Sequence, residues 1–271
     1  MNPEMIPTSF AKIATYSSTG NGLPVVFIHG NSLSGITFIK QFESELAGKY
    51  RFIAFDLPGH GASEKPGDAE ACYSVAGYIK VIQDVIHHYN LDKYVIVGHS
   101  MGGNIAMEAS PDLPGLLGMM TFGAPPIGLP PAFERMYLPN PAMGLNLKGE
   151  LSSDEIQVLA HSWADENSIR EKIIDLLNQS DPAGRSYLAA SLGQGKYRDE
   201  VEIVKNYDKS IAILNGEKDP WVNVNYYNEI DIPNLWRGEV QVVSGGSHSL
   251  QLEQPESFNG LLHDLLEEIE R

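Results

Sequence analysis

Four short stretches of this chain carry residues that together can perform acyl transfer. Gly98-His99-Ser100-Met101-Gly102 fits G-x-S-x-G, the spacing that sets a serine hydroxyl on a tight turn between a strand and a helix. A serine hydroxyl is a weak nucleophile without a base, and the base needs a carboxylate to orient it. With such a turn the expected chain order is Ser, then Asp or Glu, then His. His248, after Gly245-Gly246-Ser247, is the candidate base. Asp219, before Pro220, is the candidate acid, with Glu217 in reserve. The developing oxyanion needs backbone N–H donors. Met101 is expected to supply one. Asn31, in the turn His29-Gly30-Asn31-Ser32, is expected to supply the other, and its side-chain amide is a further donor. Taken singly, each stretch has a plain structural alternative: a strand–helix turn, a loop histidine, a solvated turn aspartate. Other histidines fit milder roles. His99 is the variable position of the motif, His60 lies in a Pro-Gly-His-Gly turn, and His87 and His88 sit near a helix end, where the dipole favours them.

These groups need a frame that holds them at one edge. Short apolar runs at 25–28, 52–55, 94–97, 119–122, 211–214 and 240–243 read as strands. Between several of them, 36–47, 74–90 and 100–110 carry helical spacing, and 255–269 follows the last. Ser74 is a suitable N-cap. Strands alternating with helices imply a mostly parallel sheet buried on both faces. Between about 127 and 209 no strand is evident. Ser152 with Glu155 forms a capping box, Asp181-Pro182 starts a second helix, and Gly193 is a plausible stop. The expected organisation is therefore a core of residues 1–126 and 209–271 with a helical cap, 127–208, inserted before the penultimate strand. Ligands of open α/β sheets bind beyond the carboxyl ends of the strands, so the insert is expected to act as a lid.

Composition narrows the partners. The 271 residues hold 19 Lys and Arg against 35 Asp and Glu, a formal charge of −16. That balance disfavours nucleic acid and anionic membrane, both of which select basic surfaces. Cys72 is the one cysteine, so no intramolecular disulfide forms. The first residues lack the basic and apolar regions of a signal peptide, and no apolar run reaches the roughly 20 residues of a membrane span. A cytoplasmic protein, monomer or homodimer, is expected.

Taken jointly, Phe27-Ile28-His29-Gly30-Asn31-Ser32, Asp56-Leu57-Pro58-Gly59-His60-Gly61, Gly98-His99-Ser100-Met101-Gly102-Gly103, Gly216 to Pro220, and His248 with Glu253 and Pro255 resemble the α/β-hydrolase family. The resemblance implies the α/β-hydrolase fold: a mostly parallel eight-stranded sheet, helices on both faces and a helical cap. It also implies no metal and no organic cofactor, and loop-shaping roles for Asp56 and His60. Serine at 100 separates the chain from dehalogenase and epoxide hydrolase branches, which carry aspartate there. A narrower likeness is to the α/β-hydrolase type of N-acyl homoserine lactonase, the quorum-quenching kind. It rests on His29 to Gly35, Tyr73-Ser74 with Gly77-Tyr78, Gly123-Ala124-Pro125-Pro126, Asn215-Gly216 with Asp219-Pro220, and Pro233-Asn234-Leu235-Trp236 with Gly238. Ser247 departs from the glycine common before the histidine, and the lid matches little.

The expected chemistry is serine hydrolysis of a small-molecule lactone or ester. An N-acyl chain needs an apolar slot. Met136, Tyr137, Leu138, Ile156, Leu159 and Trp163 of the lid are candidates to line it, although apolar residues at helical spacing usually pack a core. Two further readings use the same scaffold: a general carboxylesterase or C–C bond hydrolase, and a ligand receptor with incidental turnover.

Overall fold

The central strands are almost wholly apolar because both faces of the sheet are covered. The computed structural model describes residues 2–271, and among them eight strands form one sheet. They are β1 (Glu4–Pro7), β2 (Lys12–Ser17), β3 (Pro24–Ile28), β4 (Arg51–Phe55), β5 (Tyr94–His99), β6 (Leu116–Phe122), β7 (Ser210–Gly216) and β8 (Gln241–Val243). The order is β1-β2-β4-β3-β5-β6-β7-β8. β1 and β2 pair antiparallel with each other, and β2 with β4; every other pairing is parallel. The chain steps outward from β3 to β4, then returns past β3 to β5. Loops after β3 and β5 therefore diverge and leave a crevice at their carboxyl ends, the usual ligand position in such sheets.

The period of two along each strand sorts side chains between two cores. Val26, Ile28, Ile53, Ile96 and Met119 face helix α1 (Val75–His88), helix α2 (Met101–Ala109) and the segment between β6 and β7. That segment contributes α3 (Ser153–Trp163), α4 (Asn167–Gln179), α5 (Pro182–Gly193) and α6 (Glu200–Asn206). Val25, Phe27, Val97, Met120 and Phe122 face the last helix, α7 (Pro255–Ile269), through Phe258, Leu262 and Leu265.

Local signals explain the helix ends. The Gly77 amide donates to Ser74 Oγ at 3.0 Å, and the Ser152–Glu155 capping box is complete. Asp181 caps α5, with Pro182 at its first position. Gly193 is the last helical residue of α5, but the turn that ends it centres on Gly195 at φ +69°. Its amide donates to Leu192 and that of Lys196 to Ser191, the paired bonds of a glycine-terminated helix. Two elements differ from expectation. Residues 36–47 break into a tight 3-10 turn at Gly35–Phe38 and single turns at Ile39–Phe42 and Leu46–Lys49. Ser44 turns its hydroxyl back to the Gln41 carbonyl at 2.7 Å, a local bond that competes with the helix. The hairpin β1–β2 is the other, an edge whose outer strand ends in Pro7. Among the described residues no helix is long and apolar enough to cross a membrane.

Phe258 is fully buried, its ring centroid 5.0 Å from that of Phe122. Phe258→Ala is expected to lower unfolding free energy by about 3–5 kcal/mol, read as a shifted midpoint in urea.

Candidate active site

The turn between β5 and α2 fixes the nucleophile candidate. Ser100 sits at φ +51°, ψ −122°, a backbone state that a non-glycine residue keeps only when its surroundings impose it. They do so here. The Ser100 amide donates to the Phe122 carbonyl at 2.8 Å, and the Ser100 carbonyl accepts from Gly103 at 2.8 Å and Asn104 at 3.2 Å. A Cβ on Gly98 would lie 2.5 Å from the Gly102 carbonyl oxygen, and one on Gly102 would lie 2.4 Å from that of Ile28. The spacing of the motif thus follows from lack of room.

His248 and Asp219 come together from the ends of β8 and β7. His248 Nδ1 donates to Asp219 Oδ2 at 2.9 Å, and both residues are buried. Asp219 Oδ1 accepts from the Trp221 amide at 2.8 Å, which fixes the carboxylate plane. Glu217, the reserve, is turned away: its carboxylate accepts from Ser244 Oγ and the Gly245 amide. The His248 ring packs against Gly123, where a Cβ would approach Cε1 to 2.8 Å. Gly123 follows Phe122, whose carbonyl accepts from the Ser100 amide, and Ser100 and His248 line one cavity. With Nδ1 committed to Asp219, Nε2 is the free basic nitrogen of His248.

Asn31 and Met101 line the same cavity as Ser100 and His248. Neither backbone amide has an acceptor among the described residues. The Asn31 side chain does not serve as the extra donor expected of it. Its Nδ2 donates to the Asn146 carbonyl at 2.7 Å, tying this turn to the segment after β6.

Three histidines support the site as neutral rings. Leu57 donates to His29 Nε2 at 3.0 Å, so Nδ1 carries the proton and donates to Gly30. Burial, and then the neighbouring His60, push His29 down to about 3. Burial pushes His60 to about 4. His99 Nε2 donates to the backbone carbonyl of His248 at 2.9 Å, while its ring stacks on Phe122 at 4.6 Å. Burial, then His248, hold His99 well below the usual histidine range. His99 was legible only as the variable position of the motif, yet it anchors the loop that carries His248. Asp56 accepts from Gly35, Ala62 and Tyr16, so it braces the neighbouring turn, as the resemblance implied.

The cavity measures about 780 Å³, within the range of small-molecule sites. Its wall is largely apolar, with Val75, Ile105, Phe133, Met143, Leu188 and Leu192. Of the lid residues expected there, Tyr137 and Leu138 line it. Leu159 and Trp163 do not: both are buried in the hydrophobic core. Met136 also lies off the wall, buried with Ile127 and Tyr226, and Ile156 packs at the core's edge. Trp163 contributes its carbonyl, which accepts from the Ser249 amide at 2.9 Å. Trp221, missed in the sequence, stands 6.0 Å from the His248 ring; an aromatic two residues past the candidate acid was the available sign. Glu108 and Glu200 also reach the wall. The signal for Glu108 was periodic, for Asn104 and Glu108 follow Ser100 at steps of four.

The alpha/beta hydrolase family model matches residues 25–261. The solved structure of a serine-to-glycine mutant of an N-acyl homoserine lactonase, AidH, in complex with N-hexanoyl homoserine lactone superposes with a TM-score of 0.92 at 30% identity. That likeness covers 99% of this chain and 98% of the other. A non-heme chloroperoxidase of Kitasatospora aureofaciens is 25% identical over 266 residues, 93% of this chain and 94% of that protein. An uncharacterized protein of Mycobacterium bovis is 37% identical over 98 residues, spanning 36% of this chain and 28% of its own length.

Burial pushes Glu108 up to about 7, opposed by the Arg198 amide and charge. A carboxyl raised on folding keeps its proton where the unfolded chain has lost it, so its contribution to stability falls as pH rises from about 4.5 to about 7. Glu108→Gln removes that loss. The melting temperature of the variant relative to wild type is expected to increase between about pH 5 and about pH 8; a pH-independent difference would show that Glu108 ionises freely.

Proposed function

The chain belongs to the alpha/beta hydrolase family, and on that premise we propose that it opens the ring of an N-acyl homoserine lactone by serine catalysis. One observation carries the reading. Ser100 and the hydrogen-bonded His248–Asp219 pair border one largely apolar cavity, in a chain whose whole length matches a lactonase.

In this mechanism His248 Nε2 takes the Ser100 hydroxyl proton as Oγ attacks the lactone carbonyl. The Asn31 and Met101 amides hold the tetrahedral oxyanion. Asp219 keeps Nδ1 protonated and balances the imidazolium. Collapse breaks the ring C–O bond, and His248 gives its proton to the leaving alkoxide. Water then attacks the acyl-enzyme and loses a proton to His248, and Ser100 departs with that proton. The net change is addition of one water to give an N-acyl homoserine. Because the alkoxide stays tethered, it re-closes the ring unless water arrives first. The mouth beside Phe133, Leu138 and Leu147, all exposed, gives water that access. We take residues 127–208 as the lid over this core. Ring opening inactivates a bacterial signal, which is quorum quenching.

Mass spectrometry of N-acyl homoserine lactones incubated with the protein is expected to show a gain of one water that reverses on acidification. Ser100→Ala should lower turnover at least a thousandfold with the fold intact, and Asp219→Asn by about ten-thousandfold. Unchanged hydrolysis in Ser100→Ala would sink the mechanism. Cleavage of aryl esters beside untouched lactones would move the substrate to other esters.

A further inference from the structure

Two carboxyl groups in the cavity take no part in this chemistry. Ser100, Asn104 and Glu108 share one face of α2, so Asn104 lies about 6 Å and Glu108 about 12 Å along the helix axis from Ser100. Glu200, the first residue of α6, meets them from the other side and is fully buried. Its Oε2 accepts from Asn104 Nδ2 at 2.7 Å and from the Ile127 amide at 2.9 Å. Asn104 Nδ2 also donates to the Pro125 carbonyl at 3.0 Å. A flipped amide would set oxygen against oxygen there, so Asn104 is committed as a donor. Glu200 Oε1 is buried and has no partner among the described residues.

Among the described residues no cationic side chain is hydrogen-bonded to either carboxyl group. Arg198 gives its backbone amide to Glu108 Oε2, while its guanidinium goes to Asp112 and to the Glu108 backbone carbonyl. An ionised carboxylate buried without a counter-charge is strongly disfavoured. Burial, then Glu108, accordingly hold Glu200 well above the usual carboxylate range. Since Oε2 is saturated by two donors, the proton of neutral Glu200 resides on Oε1. There the protein supplies no acceptor, and a buried O–H without one is costly.

We propose that Glu200 determines specificity: it donates through Oε1 to an oxygen on the substrate's acyl chain, so that the cavity selects chains bearing an oxo or hydroxy group over plain alkyl chains. The level of Asn104 places that oxygen a few bonds beyond the reacting carbonyl. The hydrocarbon remainder meets Ile105, Leu188 and Leu192. The inference rests on Ser100 as nucleophile, as proposed above, and deepens that reading from lactone to oxygenated acyl lactone.

The test compares kcat/KM for N-acyl homoserine lactones of equal chain length with plain, β-oxo and β-hydroxy acyl groups. Wild type is expected to favour the oxygenated chains about tenfold, the scale of one hydrogen bond. Glu200→Gln should keep the preference, because its amide oxygen takes both donors and its NH2 donates from the Oε1 position. Glu200→Met should reduce it to within about twofold. Should the Met variant fail to fold, loss of the preference in Glu200→Gln overturns the proposal. So do equal rates for wild type, retained preference in Glu200→Met, or a preference for an amino-bearing chain, which requires an ionised pair. The same comparison with 4-nitrophenyl esters of plain and hydroxylated alkanoic acids separates the two readings. Lactones opened without preference sink the subsite alone. Esters split with preference beside untouched lactones sink the lactone reading alone. If neither class turns over, calorimetry with the plain and hydroxylated primary amides decides, and equal affinities overturn the subsite.

Discussion

The structure depends on holding Ser100 in a backbone state it would not adopt unaided. Such a state costs about 1–3 kcal/mol and survives only if its neighbours permit no alternative. Here they are backbone atoms of three parallel strands: Phe122 grips the amide, Gly98 and Gly102 bring chain against chain, and the turn after β3 closes from the other side. A turn this crowded cannot relax when substrate or proton arrives. That rigidity lets the Met101 and Asn31 amides stay unpaired and still keep their direction.

The same rigid point carries the loops that hold the other groups. His99, adjoining Ser100, binds the carbonyl of His248, so Ser100 and His248 are held through one dipeptide. Glu253 ties the loop before His248 to the segment between β6 and β7: it accepts from the Ser247 amide at 3.0 Å and from Asp165 and Glu166 just past α3. The hydroxyl of Ser247 also meets Glu253. On the far side, the buried Arg185 spans Ser32 and the carbonyls of Lys148 and Gly149. The segment between β6 and β7 is thereby fastened to both turns that face the substrate, and the cavity has walls from both parts.

What could be read in the sequence follows from the range of the interactions involved. The strands at 25–28, 52–55 and 94–97 were legible because burial on both faces makes every residue apolar. Ser100, His248 and Asp219 could be picked out as candidates because each follows a strand end and carries its chemistry in its residue type. The hairpin β1–β2 was not, since only Ile6 of β1 is buried and an edge strand needs little pattern. Leu159 and Trp163 were expected on the cavity, yet Phe133, Met143 and Leu188 line it. Helical spacing shows that a lid helix has an apolar face but not whether core or ligand lies against it. His99 and Glu200 matter through tertiary neighbours, Phe122 and Asn104, that no local pattern reports.

Electrostatics gives these neighbours a common purpose. In the proposed mechanism the proton taken from Ser100 rests on His248, which demands that no nearby group compete for it or repel it. His99 lies 5.0 Å from His248 and would do both if basic; burial keeps it neutral, as it does His29 and His60. Asp219 is then the carboxylate that His248 Nδ1 meets, and its second oxygen is already turned to Trp221. The carboxyls of Glu108 and Glu200 follow the same rule with the opposite sign. Ionised, they would disfavour an oxyanion forming in the same low-dielectric cavity; protonated, they leave the field of the two free amides intact. On the proposed reading burial, a liability for stability, thus serves the site twice: it keeps the histidines around His248 neutral and favours the protonated form of the carboxyls in the cavity.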